Sequence, residues 1–180
     1  MEDPADITKY LGVNHDFYRH KRSQTAGYTF NMTDFFKQSV EVYFAKTGLK
    51  PKEGVDSPYV SELPKEQMMK LMSTPGKFGS ESAALLMKPL YGARSARPDL
   101  SVAIQHLSSE ITRWSEECDR RLHRLYSYMH CHVSSVLCGS LSYRADSSYV
   151  LRLWPDADLA GSPFTAKSIS GGFLEVCDNH

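Results

Sequence analysis

Asp156 and Asp158 are the residues whose type and spacing point most directly to chemistry. Two positions apart on a strand, their carboxylates face the same way. Paired acids of this kind suit Mg2+, which takes oxygen ligands and can activate water against a phosphodiester. The plainer reading is a polar exit from a strand into a turn, helped by Gly161 and Pro163. A second group is cationic: Arg120, Arg121 and Arg124, with Arg113 a turn or two before, line what reads as the exposed side of a helix. Guanidinium groups so placed could contact nucleic-acid phosphates. Glu116–Arg120 and Glu117–Arg121 are also i,i+4 pairs, worth about 0.2–0.5 kcal/mol each on an exposed face. A solvated, self-paired face therefore accounts for the same residues equally well.

Lys9, Tyr10, Leu11 and Gly12, followed by the basic run Arg19 to Arg22, form a third group. Glycine there would let backbone come close to a sugar or phosphate. An ordinary hairpin with a soluble loop is the alternative. His130, Cys131, His132 and Cys138 invite a zinc reading, but consecutive residues at a helix end diverge, and the spacing fits no common finger. The 7 histidines are scattered, and no Ser/His/Asp set can be assembled.

The elements that must position these groups are of both kinds. Ile7 to Phe17 reads as a strand interrupted by Gly12, Tyr18 to Gly27 as a long basic loop, and Tyr28 to Phe30 as a returning strand. Asn31 with Asp34 suits a helix start. Phe36, Val40, Tyr43 and Phe44 share one face of that helix, which should stop near Gly48. Residues 50–80 are rich in proline and glycine and read as connecting chain, with a short helix over Glu66 to Met72. Another helix is expected over Glu81 to Tyr91, kinked or ended by Pro89. Pro98 and Asp99 open a helix bearing Leu100, Ala103, Ile104, Leu107 and Ile111 on one face. Ser115 should cap the next, whose stripe is Cys118, Leu122, Leu125 and Met129; the two form an αα-hairpin. Strands are expected at Ser140 to Tyr143, Tyr149 to Trp154 and Ser168 to Val176, too few to cover a core. The fold class is α+β: an N-terminal β-hairpin, a central helical region and a partial C-terminal β-sheet.

Composition bounds the function. Hydrophobic residues make up 41% and charged residues 23%, an ordinary globular balance. The 21 basic and 21 acidic residues cancel, so bulk charge does not announce a nucleic-acid binder. The four cysteines lack CxxC spacing and the N-terminus is acidic and polar, which points to reduced thiols and an intracellular, cytoplasmic or nuclear, non-secreted setting. No apolar run approaches the ~20 residues needed to span a bilayer.

Four segments carry a family resemblance. KYLGVNHDF (Lys9 to Phe17) is similar to the KYFLG-type strand after the polymerase centre of copia-type reverse transcriptases. SARPDLSVAIQHLS (Ser95 to Ser108) resembles the family's TRPDIAYAVSQLS, and WSEECDRRLHRLYSYM (Trp114 to Met129) its TEEHWKALKRILRYL helix. WPDADLAGSPFTAKSISGGFLEV (Trp154 to Val176) resembles YSDADWAGDPDTRRSTSGYVFFL. The chain departs at Leu159, where the family has Trp, and at His130 to His132, where it has a Lys-Gly-Thr sequence. The resemblance, to a copia-type retrotransposon Pol polyprotein, implies four segments. Residues 1–48 would end the palm with a primer-grip-like hairpin and first thumb helix. Residues 49–80 would be linker, 81–135 helical thumb and connection, and 136–180 the opening strands of RNase H.

The same resemblance makes Asp156 the first-strand RNase H acid. It assigns Asp156 and Asp158 to Mg2+ in the parent, and Lys9, Tyr10, Gly12, Arg120, Arg121 and Arg124 to nucleic acid. The family's polymerase acids and remaining RNase H acids would fall outside residues 1–180. The expected partner is thus an RNA–DNA hybrid or template–primer duplex, weakly bound, with no stably held metal, no membrane and no small-molecule substrate. The alternative is a host-retained helical binding or scaffold protein, with a protease-resistant core near residues 81–135.

Overall fold

A computed structural model describes residues 8–61, 63–157, 168 and 170–178. The protein is mixed α+β. Strands β1 (Lys9–Tyr10), β2 (Val13–His20) and β3 (Thr25–Asn31) lead into α1 (Thr33–Thr47). Then come α2 (Lys65–Ser73), α3 (Ser82–Ala96), α4 (Ser101–Ser109) and α5 (Glu116–Cys131), followed by β4 (Leu137–Ser142), β5 (Tyr149–Ala157) and β6 (Ser170–Asp178). One antiparallel sheet has the order β1-β2-β3-β4, and β5 pairs with β6 in a separate antiparallel ribbon. The chain forms two compact units. The first runs through Asp16 and takes up again over Thr29–Cys138; the second comprises Phe17–Tyr28 and the chain from Gly139 onward. No helix among the described residues is long and apolar enough to cross a membrane.

The strand expected over Ile7 to Phe17 is instead a tight hairpin. Tyr10 pairs with Val13, so Leu11 and Gly12 alone make the turn, at φ +48° and +79°. Positive φ at both central residues is the type I′ geometry that matches strand twist. Leucine bears that conformation at a cost of roughly 1–2 kcal/mol, and the Tyr91 hydroxyl donates to its carbonyl. The long basic loop is also shorter than expected. β2 runs on through Tyr18, Arg19 and His20, and the turn is only residues 21–24.

In the first unit the core is built by helical periodicity. Phe36, Val40 and Tyr43 of α1 are buried with Leu85, Leu86, Ile104, Leu107, Leu122, Leu125 and Met129. Gly48 ends α1 in the left-handed region at φ 67°, its N–H donating to the Phe44 carbonyl. The capping residues fall differently from expectation. Asn31 Oδ1 accepts the Thr33 N–H at 2.9 Å, while Met32 occupies the cap position. Ser115 sits at the start of α5, but its hydroxyl lies 3.4 Å from Cys118 Sγ and makes no cap bond.

Pro89 does not end its helix: α3 continues to Ala96. A proline at 89 offers no N–H to the carbonyl of Leu85. The buried Tyr126 hydroxyl donates to that carbonyl instead, at 2.7 Å. Burial pushes the phenols of Tyr126 and Tyr43 upward, so both are neutral donors. The two rings stack at 3.9 Å, yet the Tyr43 hydroxyl has no hydrogen-bond partner among the described residues. Tyr126→Phe is therefore expected to cost about 1–3 kcal/mol by stranding a buried carbonyl, while Tyr43→Phe is near neutral. Urea unfolding of both variants checks this, and equal losses would refute the account. Further along α3, a Cβ on Gly92 would lie 2.4 Å from the Phe36 ring, so only glycine lets α3 approach α1 there.

In the second unit Tyr28 covers Gly139, where a Cβ would lie 2.7 Å from its hydroxyl. That contact fits the pairing of β4 with β3, so β4 belongs to the first sheet and not with the strands that follow it. β5 and β6 pair from Tyr149↔Asp178 to Ala157↔Ser170; β5 runs on past the expected end at Trp154, and β6 lies two residues later than the expected Ser168 to Val176. Leu151, Leu153, Leu174 and Val176 stand exposed on one face of this ribbon.

Candidate nucleic-acid interface

α5 carries the cationic cluster, and its geometry follows from the segment that crosses it. Residues 52–61 form a strap running opposite in direction to the helix. Ser127 Oγ accepts the Lys52 N–H at 3.1 Å, His132 Nε2 lies 2.9 Å from the Val55 carbonyl, and Cys131 Sγ lies 3.4 Å from the Lys52 carbonyl. Arg124 Nε donates to the Ser57 carbonyl at 2.9 Å and Arg120 donates to that of Ser61 at 3.3 Å. Positions 120, 124, 127 and 131 share one helix face. Val55 and Pro58 are the buried residues of the strap.

The side expected to be an exposed cationic face is thus half-covered. Side-chain exposure is 27% for Arg120 and 36% for Arg121. Glu117, 2% exposed, receives both: Arg120 at 2.7 and 2.9 Å and Arg121 at 2.8 Å. The Glu117–Arg121 pair forms as spaced, but the expected Glu116–Arg120 pair does not, because Arg120 turns to the buried carboxylate at i−3. Burial alone would raise the Glu117 pKa; hydrogen bonds from Arg120 and Arg121 outweigh it and hold the carboxyl below its usual range. Arg121 keeps its terminal nitrogens for a further partner.

At the β1–β2 turn, Lys9 pairs across from Asn14, and Tyr10 is 59% exposed. Lys9, Gly12 and Asn14 line an open cavity of about 390 Å³ with Met32, Asp34, Phe35 and Gln38. The structure therefore sets Lys9 and Gly12 beside α1 residues that sequence spacing did not connect with them. Lys88 Nζ also reaches Gln38, at 3.2 Å.

Asp156 lies exposed near the end of β5, opposite Gly171. Its face continues with Trp154 and Arg152, opposite Phe173 and Glu175, and Trp154 Nε1 donates to Glu175 Oε1 at 2.8 Å. Asp158 lies outside the described residues. Among the described residues no group of three or more His, Cys, Asp or Glu side chains is placed to hold a metal ion. Among the described residues Asp156 is a lone strand carboxylate opposite a glycine, and by itself it does not make up a two-ion Mg2+ site. His130, Cys131 and His132 turn to separate partners on the strap: Glu53 at 3.8 Å, the Lys52 carbonyl and the Val55 carbonyl.

Sequence reasoning missed the most constrained cation. Arg97, 2% exposed, donates to Asp99 at 2.7–3.2 Å and to the His132 carbonyl at 2.8 Å, and lies over the Phe36 and Tyr128 rings. Tyr128 donates to the same carboxylate at 3.0 Å. The only sequence signal is the Arg-Pro-Asp run itself, which periodicity cannot mark as buried. Asp119 was missed too: it accepts the N–H groups of Lys77 and Phe78 and the Trp114 indole. Comparison with models of known protein families, with curated proteins and with solved structures finds no match.

Proposed function

We propose that this chain corresponds to the stretch of a copia-type retrotransposon Pol polyprotein running from the end of reverse transcriptase into the start of RNase H. The parent would copy RNA into DNA and degrade RNA in hybrids. The observation that carries this reading is the order of the four motifs at Lys9, Ser95, Trp114 and Trp154 over nearly the whole chain. The succession of hairpin, helices and strands is in keeping with it.

On this reading the stretch itself binds RNA–DNA hybrid or template–primer duplex weakly. Lys9 and Tyr10 stand at the β1–β2 turn, and Arg121 has donors to spare. Arg124 likewise commits only its Nε, to the Ser57 carbonyl, while Arg120 can exchange the Ser61 carbonyl for a phosphate, a swap toward a stronger, charge-assisted bond. Hybrid affinity should fall steeply with salt as counterions are released; no binding at low salt would overturn the binding claim. Cleavage is not expected, since the two-ion mechanism needs several converging acids and the resemblance supplies only Asp156 and Asp158. Incubating the purified chain with a hybrid and Mg2+ tests this, and cleavage abolished by Asp156→Asn would refute it. The descent is tested by flanking genomic DNA, which should encode a Val-Asp-Asp polymerase motif upstream and an RNase H glutamate downstream. A second reading, a host-retained helical binding protein, draws on the closed core of the first unit. Because α1 contributes Phe36, Val40 and Tyr43 to that core, its protease-resistant piece would extend beyond residues 81–135.

A further inference from the structure

We propose that the cavity between the strap and helices α4 and α5 is a binding site for a planar ring carrying a phosphate or carboxylate. It measures about 200 Å³. Pocket volumes that enclose drug-sized ligands run ~300–1,000 Å³, so this one admits one flat ring system, single or fused, and leaves an attached anion at its mouth. Ala103 and Leu107 of α4 are buried and apolar, and Pro58 of the strap adds to the apolar lining. Tyr59, half-exposed, offers a face on which a flat ligand can stack. Val60, His106 and Arg121 complete the lining. An imidazole carries an N–H in either tautomer, and the Arg121 guanidinium commits only its Nε to Glu117.

The site is built, not incidental. The wall at 58–60 is fixed on either side by the two arginine tethers, Arg124 to the Ser57 carbonyl and Arg120 to that of Ser61. Apolar lining with a few convergent donors is the usual make-up of a small-molecule pocket. A duplex hides its base faces, so this ligand class differs from the one proposed above, and the site does not depend on retroelement descent.

The test titrates the full chain with 5′-AMP, benzoate, adenosine and inorganic phosphate, following the methyl resonances of Ala103 and Leu107. Saturable shifts are expected for AMP or benzoate, with at least tenfold weaker binding of adenosine and phosphate. The tighter of the first two identifies the source as nucleotide or aromatic acid. His106→Ala, at an exposed position, should weaken binding severalfold with melting unchanged, and Arg121→Gln at least tenfold. No saturation with either ring–anion ligand would overturn the assignment. So would binding that both variants leave intact.

Discussion

Asp99→Ala is expected to destabilise the first unit by about 3–5 kcal/mol, because it leaves the Arg97 guanidinium charged and buried without its carboxylate. Arg97 is 2% exposed and Asp99 37%, so the loss falls on the partner that cannot return to water. At about 2–4 °C per kcal/mol for a chain of this length, the melting temperature should drop by ~10 °C. The double variant Arg97→Met with Asp99→Ala should recover most of the loss, since an apolar side chain tolerates the site that a lone cation does not. A single-variant loss below about 1 kcal/mol would show that the pair is not what holds this corner. The pH dependence has a definite sign. Burial alone would raise the Asp99 pKa, but the hydrogen bonds and charge of Arg97 and the bond from Tyr128 hold it low, and Glu117 is held low likewise. A carboxyl whose folded pKa lies below its unfolded value of ~4 contributes stability above that value and loses it as pH falls through the folded pKa. Acid unfolding should therefore set in below about pH 4, and Asp99→Asn should flatten the slope there.

Asp119→Ala is expected to cost about 2–3 kcal/mol, given ~1.5–3 for hydrogen bonds to a charged group. Three donors converge on this carboxylate: Lys77 N–H at 2.6 Å, Trp114 Nε1 at 2.7 Å and Phe78 N–H at 3.3 Å. Around it the Gly76 N–H reaches the Trp114 carbonyl at 3.1 Å and the Glu116 N–H the Thr74 carbonyl at 2.9 Å. The segment after α2 is thereby fastened to the start of α5, in place of a side-chain cap. A Cβ at Gly76 would lie 2.4 Å from the Ser115 carbonyl oxygen, so this approach also requires glycine. Hydrogen exchange at Lys77 and Phe78 should speed up in Asp119→Ala well beyond the global change. Unchanged exchange at both amides would discard the clasp.

What the sequence made legible is what period and composition encode. The stripe Cys118, Leu122, Leu125 and Met129 is buried as spaced, as are Phe36, Val40 and Tyr43. The α+β class follows from those patterns and the β-rich ends. What it hid are contacts between segments far apart in the chain. Nothing around Pro89 discloses that Tyr126 will satisfy the carbonyl it strands. Leu11-Gly12 is not the Asn-Gly pair that announces a two-residue turn, so the hairpin read as one broken strand. The bonds of Arg120 and Arg124 to the strap were hidden because those acceptors are backbone carbonyls of an aperiodic segment, which no side-chain pattern marks. Asp156 was placed on a strand correctly, and its chemistry rests on the family resemblance alone.

The protein has two tryptophans, and they fall one to each compact unit. Trp114, 8% exposed, is held against Asp119 in the first, while Trp154, 57% exposed, stands on the β5–β6 ribbon of the second. Native fluorescence is therefore a sum of a shielded, blue-shifted emitter and a wet, quenchable one. Acrylamide silences the second before the first, so the two halves of the molecule can be followed apart through a single unfolding curve without adding a label.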